Sequence, residues 1–299
     1  MAQKKMKVTD RDQRKELDRW QCKDFQDCYE DTSNFVSNKR IFVICGCGRS
    51  GTSLLRVMLD THSLLACGPE TLLFLPIPTK VDDLHRKFEI PLKDLRSWKR
   101  LGESRAEFAI RLQEAYLSLR ERNIWGDKTS RNIHRLKQIW RHFPNAKIIH
   151  VVRDARDVVR SLKTHRKRKV VEGQVVPTGW IQPLDDCIGR WLRAMQDAWS
   201  FRDHSNYIEM KYEDLIFNTV PTLTKVCCHI GVYFEEQMLE FHTVKGRSRD
   251  AALFPQNIEA IQPLSTTSVG KWKEELTNEE AEEVMRRTQN YMIQLGYEL

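Results

Sequence analysis

The sequence has no long apolar run. Across its 299 residues, no stretch of about 18 consecutive apolar residues occurs, and residues 1–20 are mostly charged and amide side chains. We therefore predict no membrane insertion and no secretory signal segment, and we expect a cytoplasmic protein. The secretory pathway stays the alternative if these residues are part of a longer chain.

The eight cysteines form no C-x-x-C pair, and their spacing matches no zinc framework. The sequence therefore predicts no metal site. In a reducing compartment we expect the cysteines to be free thiols, whereas a bridge between Cys22 and Cys28 would need an oxidising one. The sequence also has no internal repeat and no low-complexity tract, which argues against a repeat architecture.

Acidic side chains are fewer than basic ones. Lysine and arginine number 49 against 41 aspartate and glutamate, which gives a net charge of +8. This balance favours anionic ligands, acidic protein segments or nucleic acid, and charge alone does not choose among them. With 40% apolar residues the chain can bury a large core. We predict a polar N-terminal arm over 1–38, followed by one domain over 39–299.

A glycine-rich loop follows the first apolar run. Residues 41–45 form a predicted buried strand, and apolar residues recur at helical spacing from position 54 onward. Between them, Gly46, Gly51 and Ser53 fit the phosphate-loop pattern G-x-x-x-x-G-K-[ST], but Thr52 stands at the position of the lysine. The sequence therefore predicts a strand, a phosphate-binding loop and a helix, without the lysine that ATP-binding loops use.

The chemistry of this loop suits an anion that arrives without metal. A helix N-terminus offers free backbone N–H groups and the positive end of the helix dipole. Arg49 lies inside the loop and can bind a tetrahedral anion through two N–H groups. An ATPase would need the missing lysine for the γ-phosphate and a serine for magnesium. A degenerate ATPase loop stays the alternative interpretation.

Strands and helices alternate along the rest of the sequence. A strand over 147–152 ends at Arg153 and Asp154, and Asp154 is placed to cap a helix over 155–162. An arginine at a strand end and a serine on the next helix, here Arg153 and Ser161, can hold one phosphate between them. Further strands are predicted over 124–125 and 207–210, and further helices over 103–122, 133–143, 184–201, 220–230 and 279–295. The alternation predicts an α/β fold with a central parallel sheet flanked by helices.

The loop at 46–53 resembles the 5′-phosphosulfate loop of sulfotransferases that use 3′-phosphoadenosine-5′-phosphosulfate (PAPS). The segment from Arg153 to Ser161 resembles the 3′-phosphate motif of that family, Tyr-Glu-Asp-Leu at 212–215 resembles a further family segment, and 269–273 resembles its cofactor-closing segment. The resemblance spans 40–272 and implies a P-loop-type three-layer fold, PAPS as donor, PAP as product and no metal. It implies cofactor binding by Arg49, Ser50, Gly51, Thr52, Ser53, Arg153, Ser161, Tyr212 and Lys271.

The catalytic residues follow from a second resemblance. The Lys-Thr-Ser at 128–130 lacks the histidine that cytosolic members of the family use as base. Residues 67–71, Cys-Gly-Pro-Glu-Thr, resemble a turn of tyrosylprotein sulfotransferases that carries a glutamate, and Glu70 lies 21 residues after Arg49 as in those enzymes. The resemblance implies that Glu70 is the base and that Lys128, together with Arg49, stabilises the developing charge.

The sequence also departs from the tyrosylprotein pattern. Leu72 replaces an arginine that follows the glutamate motif, and Gly126 stands where those enzymes have a cysteine that pairs with the one at Cys67. Cytosolic members have an Arg-Lys-Gly triplet where this chain has Ser-Thr-Thr at 265–267. The lost cysteine pair agrees with a reducing compartment.

Other interpretations of these residues stay open. Glu70 standing alone could be a solvated loop carboxylate, and Asp127 is interpreted as a helix cap rather than as a catalytic acid. His62, His134 and His150 could act as bases by residue type. We place them below Glu70, because 150 lies in a predicted strand and 134 on a helix face.

The sequence thus predicts sulfuryl transfer from PAPS to an acceptor hydroxyl, with a phenol favoured because its pKa of about 10 suits a carboxylate base. A P-loop kinase or NTPase and a basic nucleic-acid-binding protein are the alternatives. The basic run 163–169 is interpreted as part of a solvated lid over 163–183. The acceptor stays open among peptidyl tyrosine, a small phenol, an amine and a sugar, and the oligomeric state stays open as well, a homodimer included.

Overall fold

A five-stranded parallel sheet forms the centre of the fold, as predicted. The computed structural model describes residues 31, 33–100, 104–164, 168–171, 174–177, 181–244 and 259–299. Its strands are β1 (Ile41–Cys45), β2 (Leu65–Cys67), β3 (Ile124–Lys128), β4 (Lys147–Val152), β5 (Arg168–Val171), β6 (Gln174–Pro177) and β7 (Tyr207–Lys211). The sheet has the order β2-β3-β1-β4-β7, and β5 and β6 form a separate antiparallel pair.

Helices connect the strands and cover the sheet. In the described residues they are α1 (Thr52–Leu59), α2 (Val81–Phe88), α3 (Leu92–Arg100), α4 (Arg105–Arg120), α5 (Leu136–His142), α6 (Ala155–Thr164), α7 (Leu184–Trp199), α8 (Tyr212–Phe217), α9 (Thr219–Ile230), α10 (Trp272–Glu275) and α11 (Asn278–Gln294). Two further segments, Ser130–Arg135 and Glu236–Thr243, are 3₁₀ helices. None of the helices in this part of the chain is long and apolar enough to cross a bilayer.

Several elements differ from the sequence predictions. The short strand predicted over 124–125 continues to Lys128. Its last two residues, Asp127 and Lys128, are polar but buried in the sheet. The helix predicted over 133–143 is shorter and begins after Arg135, whose backbone is non-helical at φ −129° and ψ 15°. The strand β2, which has only three residues, and the short helices α2 and α3 were not predicted.

Two apolar cores lie on opposite faces of the sheet. Every residue of β1 is buried, and alternate side chains enter different cores: Val43 joins one and Ile44 the other. This is typical of a parallel strand that is covered on both faces. The first core contains residues of α4, α6, α7 and α11, and the second contains residues of α1, α8 and α9. The arrangement is the predicted three-layer α/β fold.

The carboxyl edge of the sheet collects the segments that the sequence singled out. Parallel strands end at the same edge, where α/β proteins bind their ligands. The glycine loop follows β1, Glu70 lies three residues after β2, Lys128 ends β3, Arg153 follows β4, and α8 with Tyr212 follows β7. The topology therefore assembles one candidate site from five loops.

Two predicted segments lie partly outside the described residues. Of the predicted arm over 1–38, only residue 31 and residues 33–38 are described, and the domain boundary after residue 38 stays a prediction. The predicted lid over 163–183 includes the end of α6 and the strands β5 and β6; its other residues up to 180 lie outside the described part of the chain.

Candidate active site

The glycine loop is shaped by close backbone contacts. A Cβ atom on Gly46 would lie 2.4 Å from the Val151 carbonyl oxygen, so the backbone can pass there only without a side chain. Gly51 has φ +92°, and a Cβ there would lie 2.2 Å from the ring of Tyr212. Arg49 has φ +74°, a conformation that costs energy for a residue with a side chain and that is common at binding sites.

The loop leads into the N-terminus of α1. Among the described residues, no side chain caps this helix end, and its first turn contains no acidic residue. The first N–H groups of a helix have no partner within the helix, and they carry its positive dipole end. Together with the open backbone of the loop, this helix end has the features of an anion site.

The residues predicted for the two phosphates lie beside each other. Arg49 Nε donates to Ser161 Oγ at 3.1 Å, and Arg153 Nη1 donates to the Arg49 carbonyl oxygen at 3.0 Å. The Arg153 guanidinium lies over the Tyr212 ring, 4.4 Å from its centroid. Tyr212 is buried and packs against Gly51 on one side and Arg153 on the other. In this arrangement Tyr212 supports both loops.

The predicted catalytic pair is also assembled. Lys128 Nζ donates to Glu70 Oε1 at 3.0 Å and to Ser53 Oγ at 3.2 Å. Lys128 is only 2% exposed, so its ammonium group is confined between the glutamate turn and α1. Thr52 Oγ1 lies 3.0 Å from Ser130 Oγ. Ser130 is the residue that stands in place of the histidine of cytosolic sulfotransferases.

Glu70 is held in its ionised form. Burial would raise the pKa of its carboxyl group, but the ammonium groups of Lys128 and Lys87 and the backbone of Ser130 together hold that pKa below its usual value. Lys87 Nζ also donates to the Glu70 carbonyl oxygen at 2.9 Å. The Glu70 side chain is 34% exposed, so its carboxylate is reachable from solvent, but both its side chain and its backbone have defined partners.

The three histidines considered as alternative bases have partners outside the pair of Lys128 and Glu70. His150 is fully buried, with Nδ1 2.6 Å from the Tyr207 hydroxyl, and burial lowers its pKa to about 3. His62 Nε2 lies 2.8 Å from the Tyr233 carbonyl oxygen. His134 pairs with Asp197 on the surface. Each of the three histidines thus has a defined partner other than Lys128 and Glu70.

The segment 269–273 packs on α6, but Lys271 does not enter the loop cluster. The Asp157 carboxylate accepts hydrogen bonds from Gly270 N at 2.7 Å and from Trp272 N at 3.0 Å. Lys271 Nζ pairs with Glu275 at 3.0 Å and is 41% exposed. The backbone of the segment is thus fixed beside the helix that carries Ser161.

The structure adds residues that the sequence analysis missed or misjudged. Asp127 is no helix cap: it lies within β3 and is 1% exposed. Arg190 Nη2 lies 3.8 Å from the position that a Cβ on Gly48 would occupy. Arg131 interacts electrostatically with both Glu70 and Arg190, while burial lowers the pKa of its guanidinium. The only sequence signal for Asp127 was its position next to Lys128. A strand predicted as far as residue 128 would have included Asp127.

The structure explains the missing cysteine pair. Cys67 and Gly126 are register partners across β2 and β3. A Cβ on Gly126 would lie 2.1 Å from the ring of Phe42, so this aromatic ring fills the space. Six cysteines in the described residues are free thiols: Cys45, Cys47, Cys67, Cys187, Cys227 and Cys228. Cys22 and Cys28 lie outside the described residues.

The fold and the site geometry agree with the comparison to known proteins. The model of the Sulfotransferase family matches residues 41–236. The chain therefore belongs to the sulfotransferase family, as its motifs indicated.

Its relatives include protein-tyrosine sulfotransferases. Protein-tyrosine sulfotransferase A of Caenorhabditis elegans is 25% identical over 259 residues, which cover 79% of this chain and 62% of the relative. Protein-tyrosine sulfotransferase 1 of Danio rerio is 23% identical over 265 residues, which cover 80% of this chain and 67% of the relative. The chain thus spans about two thirds of the length of these relatives. The predicted resemblance to tyrosylprotein enzymes is confirmed.

A solved structure has the same fold. The sulfotransferase domain from the Synechococcus PCC 7002 olefin synthase superposes with a TM-score of 0.69 at 19% identity. The match covers 91% of this chain and 99% of that domain. At this low identity the likeness concerns the fold alone, and it confirms the predicted architecture.

Proposed function

We propose that this protein transfers a sulfuryl group from PAPS to an acceptor hydroxyl, giving a sulfate ester and PAP. The observation that carries the proposal is the position of Lys128. Its ammonium group contacts Glu70 and also Ser53, which lies at the N-terminus of α1. One cation is thereby placed between a base and an anion-binding helix end, which is what an in-line transfer needs.

The donor side has polar groups that lack a partner in the described chain. Ser50 Oγ and Arg153 Nε are buried and have no hydrogen-bond partner there. Buried polar atoms of this kind are costly unless a ligand binds them. They suit a donor with two anionic ends: Arg49, Ser50, Gly51, Thr52 and Ser53 around the 5′-phosphosulfate, and Arg153 with Ser161 at the 3′-phosphate. Tyr212 would support these residues, and Lys271 would have to leave Glu275 to reach the donor.

The reaction then divides between two sides. The acceptor oxygen forms a bond to sulfur as the bond between sulfur and the 5′-phosphate oxygen breaks. The acceptor proton passes to Glu70, while Lys128, Arg49 and the amides of α1 stabilise the negative charge on the leaving phosphate. A phenol is the favoured acceptor, because it ionises more readily than an aliphatic alcohol and the relatives are named for tyrosine. A hydroxyl on a small molecule and a peptidyl tyrosine both fit this chemistry.

The alternatives have less support. A P-loop kinase would need the lysine that Thr52 replaces, and family membership points away from it. A nucleic-acid-binding function rests on the net charge alone. A cytoplasmic location agrees with the free thiols but stays a proposal beside the secretory alternative, and sedimentation velocity would decide whether the chain forms a homodimer.

The test is a transfer assay with isotope-labelled PAPS and a panel of acceptors. The panel contains tyrosine peptides with acidic neighbours, small phenols, amines and glycans, and mass spectrometry identifies the sulfated product. We expect label on a phenolic hydroxyl and stoichiometric PAP. Stabilisation by ATP with magnesium and none by PAP, in a thermal-shift measurement, would instead indicate a kinase or NTPase.

A further inference from the structure

A buried polar cluster lies behind the predicted base. It consists of Thr71, Asp127, Thr129 and Asn132, which are each no more than 6% exposed. We call these four residues the Asp127 cluster. Polar side chains buried in this way are costly unless their hydrogen bonds are satisfied. Asn132 Oδ1 has no partner among the described residues, but both carboxylate oxygens of Asp127 accept hydrogen bonds, and these bonds fix the geometry around them.

Asp127 is the centre of this cluster. Its Oδ2 accepts a hydrogen bond from the Thr71 hydroxyl, its Oδ1 accepts one from Asn132 Nδ2 at 2.8 Å, and Thr129 provides a third side-chain hydrogen bond. The carboxylate comes from β3, next to Lys128, whereas Thr71 belongs to the turn that carries Glu70. The cluster therefore joins the two segments that hold the proposed catalytic pair.

The turn that the cluster holds has a strained backbone. Leu72 has φ +61°, which is unfavourable for a residue with a side chain. Leu72 N donates to Thr129 Oγ1 at 3.4 Å, and Leu73 N donates to Thr71 Oγ1 at 3.2 Å. A strained conformation persists only where its surroundings hold it in place. Here the hydroxyl oxygens of Thr129 and Thr71 hold the turn by accepting these backbone hydrogen bonds.

From this geometry we infer that Asp127 and Thr71 are positioning residues, which fix the Glu70 carboxylate against Lys128. Neither residue needs to touch the donor or the acceptor. The inference rests on the proposed function for its kinetic consequence, since Glu70 is there the base. Burial raises the pKa of Asp127 to about 6, although the hydrogen bonds from Thr71, Thr129 and Asn132 favour its ionised form.

The test compares two substitutions of one hydroxyl group. Thr71→Val removes the hydroxyl and keeps the branched shape, whereas Thr71→Ser keeps the hydroxyl. We expect Thr71→Val to lower kcat by about 10²-fold, because displacements near 1 Å have effects of this size. The KM for PAPS and the Kd for PAP should stay the same, and Thr71→Ser should restore most of the lost turnover. Asp127→Ala should behave like Thr71→Val, since it removes the carboxylate that accepts from the Thr71 hydroxyl.

A matched control is Thr288→Val, which removes the hydroxyl of a fully buried threonine in α11. It should change stability without changing kcat. Crystal structures of the Thr71 variants add a readout that does not need turnover: Glu70 should leave Lys128 in Thr71→Val and keep the 3.0 Å contact in Thr71→Ser.

Each outcome has a separate meaning. Equal kcat in Thr71→Val and wild type, or an unmoved Glu70 in the Thr71→Val structure, would overturn the positioning role. A wild-type protein that sulfates no acceptor would overturn the proposed function, and the crystal structures would then decide the positioning role by themselves.

Discussion

The donor half of the candidate site, residues 46–53 with Arg153 and Ser161, is built mainly from backbone. Its shape comes from Gly46 and Gly51, where a side chain would clash with the surroundings, and from a helix end whose N–H groups lie open. The acceptor half, residues 67–72 with Lys128, is built from side chains. Its turn is held by the Asp127 cluster and by Lys87, which donates to the Glu70 carbonyl oxygen.

This difference separates binding from chemistry. Loss of one side chain in the donor half removes one of several contacts to an anion, and the backbone donors stay in place. Loss of one side chain in the acceptor half should displace the proposed base or leave its partner unpaired. We therefore expect changes in the acceptor half to lower kcat, and changes in the donor half to raise the Kd of the nucleotide.

The largest effect should follow from removing the proposed base. Glu70→Gln and Glu70→Ala should lower kcat by about 10²- to 10⁴-fold, the contribution of a positioned general base. The Kd for PAP, measured by calorimetry, should not change, because Glu70 contacts Lys128, whereas the 3′-phosphate is assigned to Arg153 and Ser161.

The control for this change is Glu114→Gln. Glu114 also pairs with a lysine, Lys39, but this pair lies on the surface. It should leave both kcat and PAP binding as they are. Full turnover in Glu70→Gln would eliminate Glu70 as the base and would remove the distinction between the two halves.

A smaller effect should follow in the donor half. Arg153→Ala should weaken PAP by about 10- to 100-fold, because hydrogen bonds from a charged group contribute about 1.5–3 kcal/mol. Adenosine 5′-phosphate should weaken much less, since it has no 3′-phosphate. Isothermal titration with both nucleotides measures the difference.

Arg202→Ala is the matched control for this arginine. Arg202 also lies over an aromatic ring, Trp199, and pairs with a carboxylate, Glu209, but it is remote from the loop. Its removal should affect neither nucleotide. Equal weakening of PAP and adenosine 5′-phosphate by Arg153→Ala would show that the 3′-phosphate assignment is wrong.

The same contrast explains how much the sequence could predict. The donor half was predictable because glycines, a strand end and a helix start lie close together in the sequence, and local patterns report on them directly. The parallel sheet followed from the alternation of strands and helices. In the acceptor half, Glu70 and Lys128 were identified only by resemblance, because they are 58 residues apart and no local pattern links them.

The Asp127 cluster shows where sequence reasoning stopped. Asp127 was interpreted as a helix cap because aspartate is common at that position. Its actual role depends on burial and on the turn at Thr71, which tertiary contacts bring together. Likewise, α2 presents Val81, Leu84 and Phe88 at helical spacing, but eight residues are too few for the pattern to stand out.

The smallest predicted effect is on stability, and it concerns the charge of Asp127. Because burial raises its pKa from 3.8 to about 6 in the folded protein, the folded state binds its proton more tightly than the unfolded state does. The stability from this proton is fully present below about pH 4 and is lost as the pH rises through about 6.

Urea unfolding of wild type and Asp127→Asn at pH 5 and 7.5 should reveal this pH-dependent contribution to stability. The free energy of unfolding of wild type, relative to the variant, should be about 1 kcal/mol higher at pH 5 than at pH 7.5. Histidines and other carboxylates titrate in both proteins, so their contributions cancel in this difference. If the difference in unfolding free energy between the two proteins does not change with pH, Asp127 keeps its charge in the folded protein. The acceptor half would then be held by hydrogen bonds to an ionised Asp127, and not to a neutral one, below pH 6.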